Sequence, residues 1–306
     1  MLQQARENRI LCRSIPPTSR LRMTPPTEPA RRPDVVVVVP CYNEARRLDV
    51  QAFDDFLSRS PEVALLFVDD GSTDDTPLVM ERLRQQHRRN AFTLRLNSNV
   101  GKGEAVRRGI QIALRRRPAF VGYWDADLAT PLDALSQLCN VLRAKPEVRL
   151  AMGSRVAMLG RDIQRSGVRH LLGRAFATAA SNLLRLPVYD TQCGAKLFRA
   201  TPQVAALFAE PFRSRWIFDV EILARMTMGR NAEFDAPTQI NTIYEFPLEH
   251  WRDVAGSRLG ARDFVTAAVE LLGIYRQYVR SANHTASAPQ IAVPVAQSTS
   301  TYRKAA

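Results

Sequence analysis

The sequence predicts an α/β fold built on a mostly parallel sheet, and three observations carry the prediction. Between residues 35 and 124, short apolar runs alternate with helical patterns. The first run, Val35 to Val39, is continuously apolar rather than alternating, as in a strand covered on both faces. The polar motifs fall directly after these runs, where the carboxyl ends of parallel strands gather ligands.

The first run, Val35 to Val39, is β-branched throughout and closed by Pro40. Residues 51–59 read as helical. Ala64 to Val68 is a second buried strand, stopped by Asp69-Asp70-Gly71, and a helix is predicted from Thr76 to Arg88 with Asp74 or Asp75 as its N-cap. Phe92 to Leu96 is a third strand, followed by the turn Gly101-Lys102-Gly103 and a helix through Ala113. The fourth strand, Ala119 to Trp124, delivers Asp125-Ala126-Asp127. Residues 1–33 contain six prolines and carry seven Arg against two Glu, and are predicted to be a disordered basic arm. Residues 34–257 form the predicted catalytic domain, 258–280 an amphipathic helix, and 281–306 a disordered tail.

Of the +13 net charge of the 306-residue chain, the arm supplies +5. Such an excess points to an anionic partner: nucleic acid, a lipid surface or a phosphorylated substrate. A nucleic-acid binder predicts a basic motif with interleaved aromatics or a helix-turn-helix, and neither is found. The four cysteines are widely spaced, which indicates neither a zinc site nor a disulfide framework. No apolar stretch has the length of a membrane span and the N-terminus lacks a signal-peptide core, so a soluble or peripheral protein is expected.

Two carboxylates one residue apart on extended backbone point to the same side. Burying both is costly unless a cation or hydrogen-bond donors compensate. A hard divalent ion does so and can carry a diphosphate in its remaining coordination positions. An isolated Asp-x-Asp is usually a solvated turn; the neighbouring motifs are what distinguish Asp125 and Asp127. Gly101-Lys102-Gly103 lacks P-loop spacing, which argues against kinase or ATPase chemistry. Presenting Lys102 at a strand end suits a diphosphate contact as well as it suits an ordinary surface lysine.

In order, the strand-end segments are Pro40-Cys41-Tyr42-Asn43-Glu44, Val68-Asp69-Asp70-Gly71-Ser72-Thr73-Asp74, Asn99-Val100-Gly101-Lys102-Gly103 and Trp124-Asp125-Ala126-Asp127. The series resembles the family 2 inverting glycosyltransferases, whose nucleotide-diphospho-sugar fold is the three-layer α/β/α arrangement called GT-A. Further on, Gly153-Ser154-Arg155, Asp190-Thr191-Gln192-Cys193-Gly194, Arg215-Trp216-Ile217-Phe218-Asp219 and Trp251-Arg252-Asp253 resemble the dolichyl-phosphate β-glucosyltransferases and their polyprenyl-phosphate relatives. The resemblance implies that Asp70 contacts the base while Pro40, Tyr42 and Glu44 wall the nucleoside. It implies a Mg²⁺ or Mn²⁺ cofactor resting mainly on Asp127 with Asp125 assisting, because Ala129 stands where many mannosyl relatives place a glutamine ligand. Arg155 and Arg169 are the expected contacts to a lipid phosphate, with Arg174 beside them.

The implied activity moves a hexose, glucose from UDP-glucose, onto a polyprenyl phosphate at the cytoplasmic membrane face. The alternatives are GDP-mannose as donor, or a glycan or small molecule as acceptor. A phosphate acceptor needs little from a general base; a hydroxyl acceptor would need one, for which Asp219 and Glu221 are the candidates. Trp216, Phe218 and Trp251 fit core packing at least as well as sugar contact. Two basic amphipathic faces bear on membrane association: Leu172, Phe176, Ala179 and Leu183 in one segment, and Phe264, Ala268, Leu271, Leu272, Tyr275 and Val279 in the other.

Overall fold

The computed structural model describes residues 32–164, 167–228, 241–254 and 261–279, with the side chains of 167–172, 261–265 and 279 outside the description. The predicted arm and tail therefore lie outside the described residues, as do the segments joining several later elements.

Four β–α steps open the domain. Strand β1 (Val35–Cys41) leads to α1 (Val50–Arg59), β2 (Val63–Asp69) to α2 (Thr76–Gln86), β3 (Ala91–Arg95) to α3 (Lys102–Leu114), and β4 (Phe120–Trp124) to α4 (Ala134–Ala144). The second half holds β5 (Leu150–Ser154), β6 (Asp162–Gln164), α5 (Gly167–Leu184), β7 (Ala195–Arg199), α6 (Pro202–Leu207) and α7 (Phe218–Met228). It closes with β8 (Ile243–Pro247), β9 (His250–Arg252), α8 (Ala261–Ile274) and a π-helical turn, Tyr275–Val279.

The main sheet has seven strands in the order β3-β2-β1-β4-β7-β5-β8. All run parallel except β7, which is antiparallel to both of its neighbours. This is the mostly parallel sheet that the apolar runs predict. Successive residues of β1 serve opposite faces, as the two-residue period of a strand requires. Val36 and Val38 join a core with α3, α7 and α8, whereas Val35, Val37 and Val39 join one with α1, α2 and α4. Two apolar layers on one sheet make the α/β/α sandwich.

The predicted boundaries shift slightly. Strand β1 runs on through Pro40 to Cys41 against β2, past the end of its pairing with β4 at Val38. Helix α2 stops at Gln86 rather than Arg88. A parallel pair of short strands, β6 and β9, ties the segment after β5 to the one after β8.

Both amphipathic faces need correction. In α5 the buried residues are Ala177, Ala180 and Leu184, while Ala179 is exposed and Phe176 and Leu183 are half-buried. Small alanines let this helix approach α7 closely, and the bulkier Phe176 and Leu183 flank the seam instead of forming it. In α8, Ala267, Leu271 and Ile274 face the core; Ala268 is exposed, as are Val269 and Leu272 at 67% and 45%. The side chains of Leu172, Phe264 and Val279 lie outside the described residues.

Candidate active site

The sheet order reverses between β1 and β4, and ligands of open α/β sheets bind where such a reversal opens a crevice at the carboxyl ends. The loops after β1 and β2 are stitched together there by short hydrogen bonds. Asn43 donates its backbone N–H to Ser72 Oγ at 2.9 Å and accepts the Thr73 N–H on its side-chain oxygen at 2.9 Å. Glu44 N–H reaches Thr76 Oγ1 at 2.8 Å, and Ala45 N–H reaches Asp74 at 3.2 Å. Asp74 also accepts from the N–H of Thr76 at 3.0 Å, so it supplies the capping bond, while Asp75 occupies the N-cap position without one. Asn43 takes φ of 53°, a left-handed conformation that asparagine tolerates better than most residues.

Asp70 is almost fully buried, and its two carboxylate oxygens accept the N–H groups of Val100 and Gly101 at 2.8 and 2.9 Å. The residue proposed for base contact is thus also the clamp on the loop that presents Lys102. Burial pushes its carboxyl above the ordinary range, even though the two amides and Arg215 oppose this. Gly71 makes the position reachable: at φ of 70°, a Cβ there would lie 2.5 Å from the carbonyl carbon of Ser98. Pro40, Tyr42 and Glu44 are all half-buried along the same edge.

Asp125 and Asp127 follow β4 as expected, and each meets a cation. Lys102 Nζ lies 2.5 Å from Asp125 Oδ1. Arg47 Nη2 lies 3.3 Å from Asp127 Oδ2, and its Nη1 lies 3.2 Å from Glu44. Asp127 Oδ1 accepts the Ala129 N–H at 3.1 Å. Burial pushes Asp125 up, but Lys102, with Lys196 and Arg155 behind it, holds its carboxyl below the usual range. Asp127 goes the other way, raised by burial and then by the neighbouring Asp125 charge. Gly194 forms the wall behind Asp125: a Cβ at that position would stand 1.9 Å from Asp125 Oδ2.

The other wall rests on buried ion pairs. Arg155 grips Asp190 through Nε and Nη2 at 2.6 and 2.7 Å, and its guanidinium lies 5.4 Å from the Trp251 ring centre. Asp190 is held well below the ordinary carboxylate range because Arg155 outweighs its burial. Arg174 lies 3.6 Å over the Tyr189 ring and donates to the Tyr189 carbonyl at 2.9 Å. Arg155, Arg174, Tyr189 and Asp190, with Thr191 and Gln192, border a shallow cleft. Arg169 belongs to α5, but its side chain lies outside the described residues.

Lys196 is fully buried on β7 and donates to Asp219 at 2.6 Å and to the carbonyls of Cys193 and Thr191 at 2.7 and 3.1 Å. Tyr123 donates to the same Asp219 oxygen. Glu221 is equally committed: it accepts from the N–H groups of Arg213 and Ser214, from Arg225 and from Tyr278. Neither carboxylate suits the general-base role considered for a hydroxyl acceptor, since each is locked in a buried network. Phe218 is core as expected, Trp251 is half-buried, and Trp216 is 45% exposed beside Arg215, contrary to a packing role.

Sequence reasoning gave no role to Arg47, to Lys196, or to Arg215, although Arg215 opens one of the quoted motifs. Arg47 sits in the same strand-end segment as Glu44, so proximity was its signal. Lys196 was legible as a lone cation inside the apolar run Ala195-Lys196-Leu197-Phe198, which predicts a buried lysine needing partners. Arg215 bonds Asn99 at 3.2 Å and closes over Gly101, a contact between distant segments without a local signature.

Among the described residues, no group of three or more His, Cys, Asp or Glu converges to hold a metal through protein ligands alone. The expected extended backbone ends at Trp124 and a turn carries Ala126 and Asp127, yet the two carboxylates stay near enough for the Asp125 charge to raise Asp127, a donor set that suits a hard divalent ion taking its remaining ligands from a diphosphate and water. Among those residues, no helix is long and apolar enough to cross a membrane.

Comparison with known proteins matches the chain to the family model described as glycosyl transferase family 2, over residues 36–202. The dolichyl-phosphate beta-glucosyltransferase of Dictyostelium discoideum is 35% identical over 263 residues, covering 78% of this chain and 76% of that protein. The Saccharomyces cerevisiae protein of the same name is 32% identical over 270 residues, with coverage of 78% and 76%. Among solved structures, glucosyl-3-phosphoglycerate synthase from Mycobacterium tuberculosis, in complex with Mn²⁺, uridine diphosphate and glucosyl-3-phosphoglycerate, matches with a TM-score of 0.54. Its identity is 20%, over 80% of this chain and 81% of that one, a likeness of fold.

Proposed function

The chain belongs to glycosyl transferase family 2, and from that premise we propose that it transfers glucose from UDP-glucose to a polyprenyl phosphate at the cytoplasmic face of a membrane. The observation that carries the reading is the setting of Asp125: Lys102 of the donor-side loops pairs with it at 2.5 Å, and Lys196 and Arg155 from the second half of the chain are among the charges that hold its carboxyl down. Relatives named dolichyl-phosphate beta-glucosyltransferase supply the substrate classes.

On the donor side, Asp70 contacts the base with the lone pairs its two amide bonds leave over. Pro40, Tyr42 and Glu44 wall the nucleoside, and Lys102 meets the diphosphate. Asp127, with Asp125 assisting, would hold Mg²⁺ or Mn²⁺, which when bound supplies positive charge to the departing nucleoside diphosphate. On the acceptor side, Arg155 and Arg169 orient the lipid phosphate, whose oxygen is already anionic and attacks the anomeric carbon in line. The commitment of Asp219 and Glu221 to buried networks supports an acceptor that needs no general base. Exposed Val269 and Leu272 on α8 support a peripheral membrane contact.

The test offers UDP-glucose and GDP-mannose separately with a radiolabelled polyprenyl phosphate and a divalent ion. Transfer of glucose to the lipid is expected. Transfer from GDP-mannose alone would reassign the donor, and transfer only to soluble sugars would overturn the acceptor.

A further inference from the structure

Both carboxylates of the Asp125-Ala126-Asp127 segment already carry a cation of the chain itself. Lys102 stands 2.5 Å from Asp125, and Arg47 stands 3.3 Å from Asp127. The two ion pairs balance two negative charges with two positive ones, the charge that a divalent ion would bring. Neither cation is rigidly held there. The Lys102 side chain is 44% exposed and begins α3 directly after a glycine with φ of 97°. Arg47 lies in the turn between β1 and α1, and its buried Nε has no hydrogen-bond partner among the described residues. A guanidinium with an unsatisfied buried N–H gains a bond if an anionic oxygen arrives beside it.

We propose that Arg47 and Lys102 are placeholder cations. They pair with the two carboxylates when no metal is bound, and they turn to the phosphate oxygens of the donor when a metal ion and a nucleoside diphosphate bind together. The inference rests on the donor-side reading above and extends it in two ways. It gives a role to Arg47, which no motif supplied, and it makes the site self-ordering. A metal alone must displace Lys102 and Arg47 from Asp125 and Asp127, leaving Arg47 with Glu44 and Lys102 without the partner it had. With a diphosphate present, those neighbours acquire a partner, and metal and nucleotide each strengthen the other's binding. Because such coupling is reciprocal, it appears identically in either titration.

The experiment measures Mn²⁺ binding to the full chain by calorimetry and by the spin-resonance signal of free Mn²⁺, without nucleotide and with UDP. The variants are Arg47→Gln, Lys102→Gln, and Arg46→Gln as a control for net charge at an exposed neighbour. Thermal unfolding of each verifies that the fold is retained. In the wild type, UDP should tighten Mn²⁺ binding. Removing either placeholder should tighten Mn²⁺ binding without nucleotide by about tenfold and weaken UDP binding in the presence of Mn²⁺ by a similar factor. The mutual enhancement should shrink accordingly, and Arg46→Gln should change none of these. Wild-type enhancement by UDP together with variants that bind Mn²⁺ alone no more tightly would overturn the placeholder role and leave the donor reading intact. Wild-type protein that binds Mn²⁺ neither alone nor with UDP would overturn the metal-dependent reading itself.

Discussion

The two walls of the candidate site are built by different means. The donor wall comes from β1 to β4, and its loops are fixed by neutral or singly charged hydrogen bonds between adjacent strand ends, such as Asn43 to Thr73 and Asp70 to Gly101. The wall beyond β7 is fixed by buried charge: Lys196 with Asp219, Arg155 with Asp190, and Glu221 with Arg225. Loss of a neutral loop bond costs about 1 kcal/mol, whereas orphaning a buried charge costs several. Substitutions should therefore cost little stability on the first wall and several kcal/mol on the second.

The largest effect expected is on the second wall. Lys196→Met leaves Asp219 buried without its cation and should lower unfolding free energy by about 3–5 kcal/mol in urea titrations. A loss below about 1 kcal/mol would erase the distinction between the walls. On the first wall, Asp127→Asn should cut turnover about 1000-fold while the unfolding midpoint stays near the wild type, since the side chain is 27% exposed and only singly paired. Gly194→Ala probes where the walls meet. Its Cβ would intrude on Asp125, so turnover should fall about 100-fold through misplacement of that carboxylate.

Acidification sharpens the contrast further. Arg155 depresses Asp190 in the fold, so the pair adds stability at pH values above the ordinary carboxylate range, and that stability disappears as pH falls through the depressed value. The wild-type melting temperature should decline below about pH 4. Asp190→Asn should lose about 2 kcal/mol at neutral pH and show a shallower acid decline. A parallel decline in both proteins would remove Asp190 as its source. The smallest effect belongs to the donor loops: Asp74→Ala deletes the bond to the Thr76 N–H and should cost about 1 kcal/mol by thermal unfolding.

The same contrast explains what the sequence discloses. Strands β1, β2 and β4 announce themselves as apolar runs and β3 as a short alternating one, and their motifs follow within a few residues, so Asp70, Lys102, Asp125 and Asp127 are legible by position. The partners of these residues are less so. Arg47 reaches Asp127 from a loop 80 residues earlier in the chain, and Arg215 reaches Asn99 from the far half of the chain. Reversed strand β7 is short, with a charge in its middle, and its interruption of the parallel order has no local signal. The helix faces were misread because periodicity finds an apolar stripe, while small residues decide which side of that stripe packs most closely. Thus Ala177 and Ala180 outrank Phe176 and Leu183 as the buried seam.

Strand β7 also bears on the order in which the enzyme is assembled. Strand β4 pairs with β1 early in the chain, but its other edge must wait for β7, with Trp124 set against Ala195. At synthesis rates of about 5–20 residues per second, that interval lasts several seconds. Closing so long a loop is also slow compared with the local β–α steps. Gly194, the wall behind Asp125, arrives with the same late strand. A nascent chain thus has the loops after β1 to β4 in place before the candidate site is complete, and Asp125 is enclosed only when the sheet itself is finished.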